Sequence, residues 1–269
     1  MTGRLQRGEQ VLLVDSKGRQ YLMILRERAQ FHSHTGIVEH DDLLGADEGS
    51  TVRSTTGARY TVMRPTLADF VLRMPRGAQV IYPKDLGAIL MLADVFPGVR
   101  VLEAGVGSGA LSMTLVRAGA DVVGYEVRAD FAARARENVT AFLGPDAARR
   151  FRVEERDVYA GIDEHDLDRI VLDLPEPWQV VKHAEEALRP GGLLVAYTPS
   201  IVQAAQLREA IDASGFELAQ TVEHLARTWH IEGQAVRPDH RMVAHTGFLT
   251  SARLLRSVPG GLKAPRTPR

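Results

Sequence analysis

The chain has 269 residues, of which 45% are hydrophobic and 25% charged, a balance typical of a globular protein and unlike that of disordered, fibrous or membrane proteins. This length accommodates one large domain, or a large domain with a small companion. The absence of cysteine excludes disulfide frameworks, thiolate metal sites and cysteine nucleophiles, and a net charge of −1 argues against a surface that binds polyanions everywhere.

Residues 1–64 are predicted to form a small β domain. Apolar-rich runs at 10–15 and 19–26 are joined by residues with turn chemistry, and so are the runs at 51–54 and 60–63. The start of the chain contains no long apolar segment. We therefore expect neither a signal peptide nor a membrane anchor, and a cytoplasmic protein.

Residues 65–98 are predicted to form two connecting helices. Thr66 is placed to cap the first helix, with Asp69 three residues later, and the second helix follows Pro83. Between positions 50 and 84, six basic residues stand against one acidic residue. This surplus predicts either a surface that faces nucleic acid or solvated charge that is balanced by neighbours in space.

From residue 99 onward, predicted strands and helices alternate, which indicates an α/β domain with a mostly parallel sheet over residues 99–258. Two further β stretches are expected at 217–225 and 242–249. The last residues, 259–269, are predicted to be a disordered basic tail. The strands predicted for the parallel part of the sheet are 99–104, 121–126, 151–155, 169–173 and 193–197.

A glycine-rich segment follows the first of these strands. Gly105 and Gly107 allow a tight turn close to a ligand, and the helix that follows offers free N–H donors at its start. With Ala110, the spacing also matches the dinucleotide-binding pattern, so a nicotinamide dehydrogenase is an alternative. Glu103 favours another cofactor, because a carboxylate just before the loop would crowd a pyrophosphate but can face the ammonium of S-adenosylmethionine.

Acidic residues follow or end four of the predicted strands, beginning with Glu103. Glu126, about 20 residues further on, can accept hydrogen bonds from both ribose hydroxyls of either cofactor. Arg156 and Asp157 follow the third strand, where a side chain commonly reads an adenine edge, and Asp173 ends the fourth. One such acid is usually a helix cap or a solvated carboxylate. Four together predict a ligand site, because ligands of open α/β sheets bind at the carboxyl ends of the strands.

The segment from Asp173 to Trp178 contains two prolines within four residues, which fix a rigid turn after the fourth strand. Such a turn holds Asp173 outward, while Trp178 either faces a ligand or packs on the helix behind. A carboxylate at this position suits a nucleophile that becomes cationic when it is alkylated. Adenine N1 is such a nucleophile.

Several motifs spread nearly end to end through the chain occur together in one family. They cover residues 31–37, 79–85, 103–111, 125–128, 173–178, 237–242 and 245–249. With them the chain resembles the tRNA (adenine-N1)-methyltransferases of the TrmI type, which modify adenine 58 in the T loop. The resemblance implies a small β domain before a Rossmann-like methyltransferase domain, S-adenosylmethionine as methyl donor, tRNA as substrate and a homotetramer.

The resemblance also implies which residues bind the cofactor, in addition to Glu103, Gly105 and Gly107. By motif match these are Ile81, Ser108, Gly109, Ala110, Leu111, Glu126, Phe131, Arg156, Asp157 and Asp173. Phe131 stands where the family often has a polar residue. Tyr82 is expected to stack on or steer the target base, with a buried, hydrogen-bonded tyrosine as the alternative.

Three histidines, His32, His34 and His40, precede two aspartates and suggest a metal site. We expect no metal, because no closed set of ligands can be assigned from their spacing.

The expected reaction is in-line transfer of a methyl group to adenine N1, which carries a lone pair and needs no general base. Asp173 would accept a hydrogen bond from the N6 amino group and oppose the growing positive charge. Besides the dehydrogenase, a non-enzymatic RNA-binding subunit with a decayed cofactor fold is an alternative. The intact acids Glu126, Asp157 and Asp173 argue against it.

Overall fold

The structure is a computed structural model that describes residues 3–77 and 79–255. The chain divides between Met74 and Pro75 into two compact units. The predicted tail, 259–269, lies outside the described residues. No helix in the described part of the chain is both long and apolar enough to cross a bilayer.

The first unit contains a four-stranded antiparallel sheet, in the order β2-β1-β6-β5, and a separate hairpin of β3 and β4. Apolar side chains on one face of the sheet, such as Val11, Leu13 and Val62, are fully buried, as alternation along antiparallel strands predicts. The strands are β1 (Gln10–Asp15), β2 (Gln20–Ile24), β3 (Gln30–Ser33), β4 (Gly36–Glu39), β5 (Thr51–Arg53) and β6 (Arg59–Met63).

The first predicted helix is confirmed as α1 (Leu67–Arg73). Thr66 and Asp69 form the predicted capping box, since each side chain accepts a hydrogen bond from the backbone N–H of the other residue, both at 3.1 Å. The helix therefore begins at the position that the capping pattern predicts.

The second unit is an α/β structure whose sheet has seven strands in the order β12-β15-β11-β10-β7-β8-β9. The sheet strands are β7 (Arg100–Ala104), β8 (Asp121–Glu126), β9 (Phe151–Glu155), β10 (Leu167–Asp173), β11 (Leu188–Thr198), β12 (Phe216–Glu223) and β15 (Phe248–Leu254), while β13 (Trp229–Glu232) and β14 (Ala235–Pro238) form a separate hairpin. The helices are α2 (Pro83–Leu92), α3 (Ala110–Arg117), α4 (Ala129–Leu143), α5 (Pro145–Ala148), α6 (Val181–Ala187) and α7 (Ile201–Asp212).

The five strands β7 to β11 are parallel, whereas β15 runs antiparallel between β11 and β12. The chain order moves from β7 outward through β8 to β9, and then returns to β10 on the other side of β7. The strand order therefore reverses between β7 and β10. In open α/β sheets, the crevice at the carboxyl ends of the strands beside such a reversal is where ligands bind.

The strand predicted at 242–249 is wrong, because β15 begins only at Phe248 and continues to Leu254. Side-chain contacts hold the preceding segment instead of a strand ladder: the His245 ring contacts Glu223, the last residue of β12, at 2.6 Å, and the Thr246 hydroxyl donates to Asp85 in α2 at 2.6 Å. These contacts hold the segment as an irregular connection.

Candidate active site

The glycine loop lies against the end of β10. Gly105 has a φ of 84°, and a Cβ added there would stand 2.0 Å from the carbonyl oxygen of Asp173. No other residue can adopt this conformation and leave room for that carbonyl. Gly109, with a φ of 85°, caps the start of α3 against the backbone of Ala135. The loop therefore joins the ends of β7 and β10 through main-chain contact.

Glu126 ends β8 and is nearly buried beside this loop. Its two carboxylate oxygens accept hydrogen bonds from the backbone N–H groups of Gly107 at 2.9 Å and Arg128 at 3.0 Å. These bonds fix the orientation of the carboxylate. Each oxygen keeps a further lone pair, so Glu126 can still accept from two hydroxyl groups.

Glu103, in β7, is fully buried. One of its oxygens accepts from the Ser112 hydroxyl at 2.7 Å, and the other has no hydrogen-bond partner among the described residues. Burial, with a smaller contribution from the nearby charge of Asp173, raises the pKa of Glu103 to about 8. The hydroxyl oxygen of Ser108 is also buried and has no hydrogen-bond partner within residues 3–77 and 79–255. Buried polar atoms left unpaired in this way are expected where a ligand supplies the missing partner.

The raised pKa of Glu103 gives a testable effect on stability. The folded protein keeps this proton at pH values where the unfolded chain has released it, so stability falls as pH rises from about 4.5 towards 8. The glutamine in Glu103→Gln cannot ionise, so the variant does not lose stability at this position as pH rises. In the absence of ligand, we expect the stability of the variant relative to wild type to rise by about 2–3 kcal/mol between pH 6 and pH 8.

Thermal and urea unfolding at both pH values measures this difference, with the exposed Glu155→Gln as the control. A difference between Glu103→Gln and wild type that stays constant with pH would contradict the raised pKa.

Asp173 ends β10 with its side chain half-buried, and the loss of surrounding water raises its pKa to about 7. It is in register with Tyr197 on β11, so the two side chains lie on the same face of the sheet. The proline turn that follows is anchored from α7, where the Gln203 amide donates to the Pro175 carbonyl at 2.8 Å. Trp178 is half-buried within a short 3-10 turn.

One pocket brings together half of the residues that the sequence predicts for the site. Tyr82, the last residue before α2, stands next to Ile81 in the chain, and its half-buried side chain makes no hydrogen bond within the described residues. Gln79, Val80 and Val106 also line the pocket; they lie within the motifs at 79–85 and 103–111 but are not among the residues predicted for the site. The predicted residues in the lining are Ile81, Gly105, Gly107, Ser108, Ala110, Leu111 and Asp173.

Three predicted residues make other contacts. The Phe131 ring is buried under the guanidinium of Arg128, which lies 4.0 Å from the ring centre. The Arg156 side chain forms an ion pair with Asp163, and only its backbone N–H reaches Glu126, at the carbonyl oxygen. Asp157 accepts from the Tyr159 N–H at 2.9 Å and caps a 3-10 turn. Their roles in ligand binding stay predictions.

The histidines near the start of the chain have separate environments. His32 is exposed, His34 contacts Arg19 at 2.9 Å, and His40 is buried and receives the backbone N–H of Arg26 at 3.2 Å. Within the described ranges, no group of three or more histidine, aspartate or glutamate side chains could hold a metal ion.

The basic surplus between positions 50 and 84 is partly balanced by neighbouring acids. Arg64 pairs with Glu9 and Glu48, Lys84 with Asp85, and Arg73 with Asp69. In the part of the chain that the structure describes, the remaining cations make no ion pair. They are Arg53, Arg59 and Arg76.

Comparisons with known proteins agree with this geometry. A family model described as the tRNA methyltransferase complex GCD14 subunit matches residues 59–238, and one described as TrmI-like N-terminal matches residues 3–52. The tRNA (adenine(58)-N(1))-methyltransferase TrmI of Thermus thermophilus is 41% identical over 248 residues, which are 90% of this chain and 96% of the relative.

Two solved structures share the fold over nearly the whole chain. A SAM-dependent O-methyltransferase from Thermotoga maritima superposes with a TM-score of 0.90 at 31% identity, covering 95% of this chain and 96% of its own. The tRNA (m1A58) methyltransferase TrmI from Aquifex aeolicus superposes with a TM-score of 0.83 at 27% identity, covering 94% of this chain and 100% of its own.

Proposed function

Because the chain belongs to the TrmI family of tRNA methyltransferases, we infer that it transfers a methyl group to N1 of adenine 58 in tRNA. The observation that carries this inference is the placement of Asp173, whose backbone contacts the glycine loop while its carboxyl group lies at the end of β10. An acid at this position would face the acceptor side of a cofactor bound at the loop.

We propose that S-adenosylmethionine is the methyl donor. The loop residues fit it, since Glu126 is held ready to accept from two ribose hydroxyls and the unpaired oxygen of Glu103 suits a cationic ammonium group. When bound, S-adenosylmethionine supplies a methyl group on a positively charged sulfur. A cation near Glu103 favours its ionised form, so binding is expected to release a proton around neutral pH.

Asp173 is proposed to act on the target base. Its carboxylate would accept a hydrogen bond from the N6 amino group and stabilise the positive charge that the ring gains on methylation. Tyr82, which precedes α2, is proposed to stack on the extruded base. Neutral adenine N1 carries a free lone pair, so positioning and charge stabilisation replace a general base.

The unpaired cations Arg53, Arg59 and Arg76 are proposed to contact tRNA phosphates, because phosphate contacts provide most of the affinity in such complexes. The enzyme is proposed to act on tRNA in the cytoplasm.

Incubation with tRNA transcripts and isotopically labelled S-adenosylmethionine, followed by nucleoside mass spectrometry, tests the function. We expect labelled 1-methyladenosine in wild-type transcripts and none in a transcript with guanosine at position 58. Calorimetric titrations with S-adenosylmethionine and NAD separate the methyltransferase from the dehydrogenase. Binding of NAD alone, or an absence of methylated adenosine, would contradict the proposal.

We propose a homotetramer, and the hairpin of β13 and β14 supports it. In this hairpin, Trp229 pairs with Pro238 and Ile231 with Val236, so all four side chains lie on one face. Trp229, Ile231 and Val236 are 56%, 73% and 59% exposed. A two-stranded hairpin is marginally stable alone, and an exposed apolar face of this kind is typical of a subunit contact.

Ile231→Asp is expected to dissociate the tetramer, because it places an unpaired charge inside the proposed contact. The apparent dissociation constant should rise at least about 100-fold, equivalent to about 3 kcal/mol. Sedimentation velocity measures the change. Ala235→Asp introduces the same charge on the opposite face and should leave the assembly intact; a variant at Ile231 that sediments like wild type would exclude this face.

A further inference from the structure

Asp85 lies in the first turn of α2 and is fully buried. Its carboxylate contacts the Lys84 ammonium at 2.8 and 3.0 Å through its two oxygens. The hydroxyl of Thr246, from the connection before β15, donates to one of the same oxygens at 2.6 Å. The start of α2 is thus attached to a segment about 160 residues away in sequence.

Lys84 completes this cluster. Its ammonium also donates to the His224 carbonyl and to the Thr246 hydroxyl oxygen, both at 2.6 Å, so all its hydrogen-bonding capacity is used. Removing an ion pair from water costs about as much as the pairing returns. A buried pair with such specific partners therefore contributes to one fixed arrangement more than to overall stability.

The cluster extends to Tyr197 at the end of β11. The Tyr197 hydroxyl donates to the Thr246 carbonyl, and a Cβ on Gly247 would stand 2.4 Å from the Tyr197 ring. The ring therefore packs directly on the Gly247 backbone. Burial, and then the charge of Asp85, raise the pKa of Tyr197 to about 12, with smaller contributions from Asp173 and Tyr82.

These hydrogen bonds connect Tyr82 with Tyr197 through Asp85 and Thr246. At one end, the Asp85 N–H donates to the Tyr82 carbonyl at 2.9 Å, and at the other end, Tyr197 stands in register with Asp173. We propose that Asp85 and Thr246 are positioning residues that fix Tyr82 and Tyr197 beside Asp173 for methyl transfer. This proposal rests on the proposed function.

Thr246→Val tests the proposal with little change of shape. The variant loses the bonds to Asp85 and Lys84 but keeps the carbonyl that receives Tyr197. A displacement of the order of 1 Å at reacting groups costs up to about 100-fold in rate, so we expect single-turnover methylation to slow at least tenfold. The dissociation constants of S-adenosylmethionine and tRNA should stay within about twofold, because the glycine loop and the phosphates determine them.

Two further variants separate positioning from loss of stability. Thr246→Ser restores the hydroxyl and should restore the rate. Thr250→Val removes another buried hydroxyl, which contacts Thr221 at 2.9 Å on β12, and should unfold at a lower temperature but methylate at the wild-type rate. Asp85→Asn leaves the buried Lys84 ammonium without its counter-ion and is expected to destabilise the fold. The test therefore relies on the Thr246 variants.

The proposal is overturned if Thr246→Val methylates within about twofold of wild type, if Thr246→Ser is as slow as Thr246→Val, or if Thr250→Val slows equally. In all three cases an active wild type leaves the proposed function intact. A wild type that transfers no methyl group to tRNA overturns the function and this inference together.

Discussion

Replacing Asp173 with asparagine is expected to lower the rate of methyl transfer by about 10²–10³, the usual effect of losing one preorganised electrostatic contact. Asparagine keeps an acceptor for the N6 amino group and most of the shape, but it lacks the anion that opposes the charge of the methylated ring. The affinity for tRNA should change far less, because phosphate contacts dominate binding.

The rate should also depend on pH in a defined direction. Burial raises the pKa of Asp173 to about 7, so the fraction of active carboxylate, and with it the wild-type rate, should increase as pH rises through about 7. Asp173→Asn should lose this dependence. Glu103 titrates nearby, so saturating cofactor is required to separate its effect on binding from the effect of Asp173 on chemistry.

Single-turnover methylation at saturating cofactor and tRNA measures both effects. Asp121→Asn, at the opposite end of β8 and paired with Arg150, is the matched control and should react at the wild-type rate. A near-normal rate for Asp173→Asn would show that the charge is dispensable and that positioning alone carries the reaction.

Replacing Glu126 with alanine is expected to weaken S-adenosylmethionine binding by about 1.5–3 kcal/mol, or roughly 10- to 150-fold. The variant loses the acceptor for the ribose hydroxyls and also releases the N–H groups of Gly107 and Arg128, which hold the loop in place. Both the lost acceptor and the released loop are expected to weaken binding of the cofactor.

Isothermal titration measures the dissociation constant of the cofactor directly. Glu155→Ala is the control, because Glu155 pairs in register with Glu126 on the neighbouring strand but is exposed. An unchanged dissociation constant in a folded Glu126→Ala variant would remove Glu126 from the cofactor site.

Local patterns predicted a large part of this fold. Thr66 and Asp69 identified the start of α1 because a capping box involves residues only three apart. The acids at the ends of β8 and β10 could be located because apolar runs define buried strands and parallel strands end at one edge. The glycine loop was visible because its conformations require glycine.

Contacts between distant segments could not be predicted in the same way. The bond between Thr246 and Asp85 joins residues 161 positions apart, and without it the segment before β15 looks like a strand. Asp157 is an acid that follows a strand, as ligand-binding acids often do, yet its carboxylate accepts from the N–H of the residue two positions later. Which partner such a side chain selects depends on three-dimensional distances that a single sequence does not contain.

The contact between Gly105 and the Asp173 carbonyl has a consequence for engineering. The wall of the pocket at Gly105 consists of main chain, so shortening a side chain cannot widen the pocket at this point. Cofactor analogues that carry bulkier transferable groups would need space made elsewhere, at side chains such as Ile81 or Tyr82. Substitutions at Asp173 would change charge and hydrogen bonding while the distance between the two strand ends stayed the same.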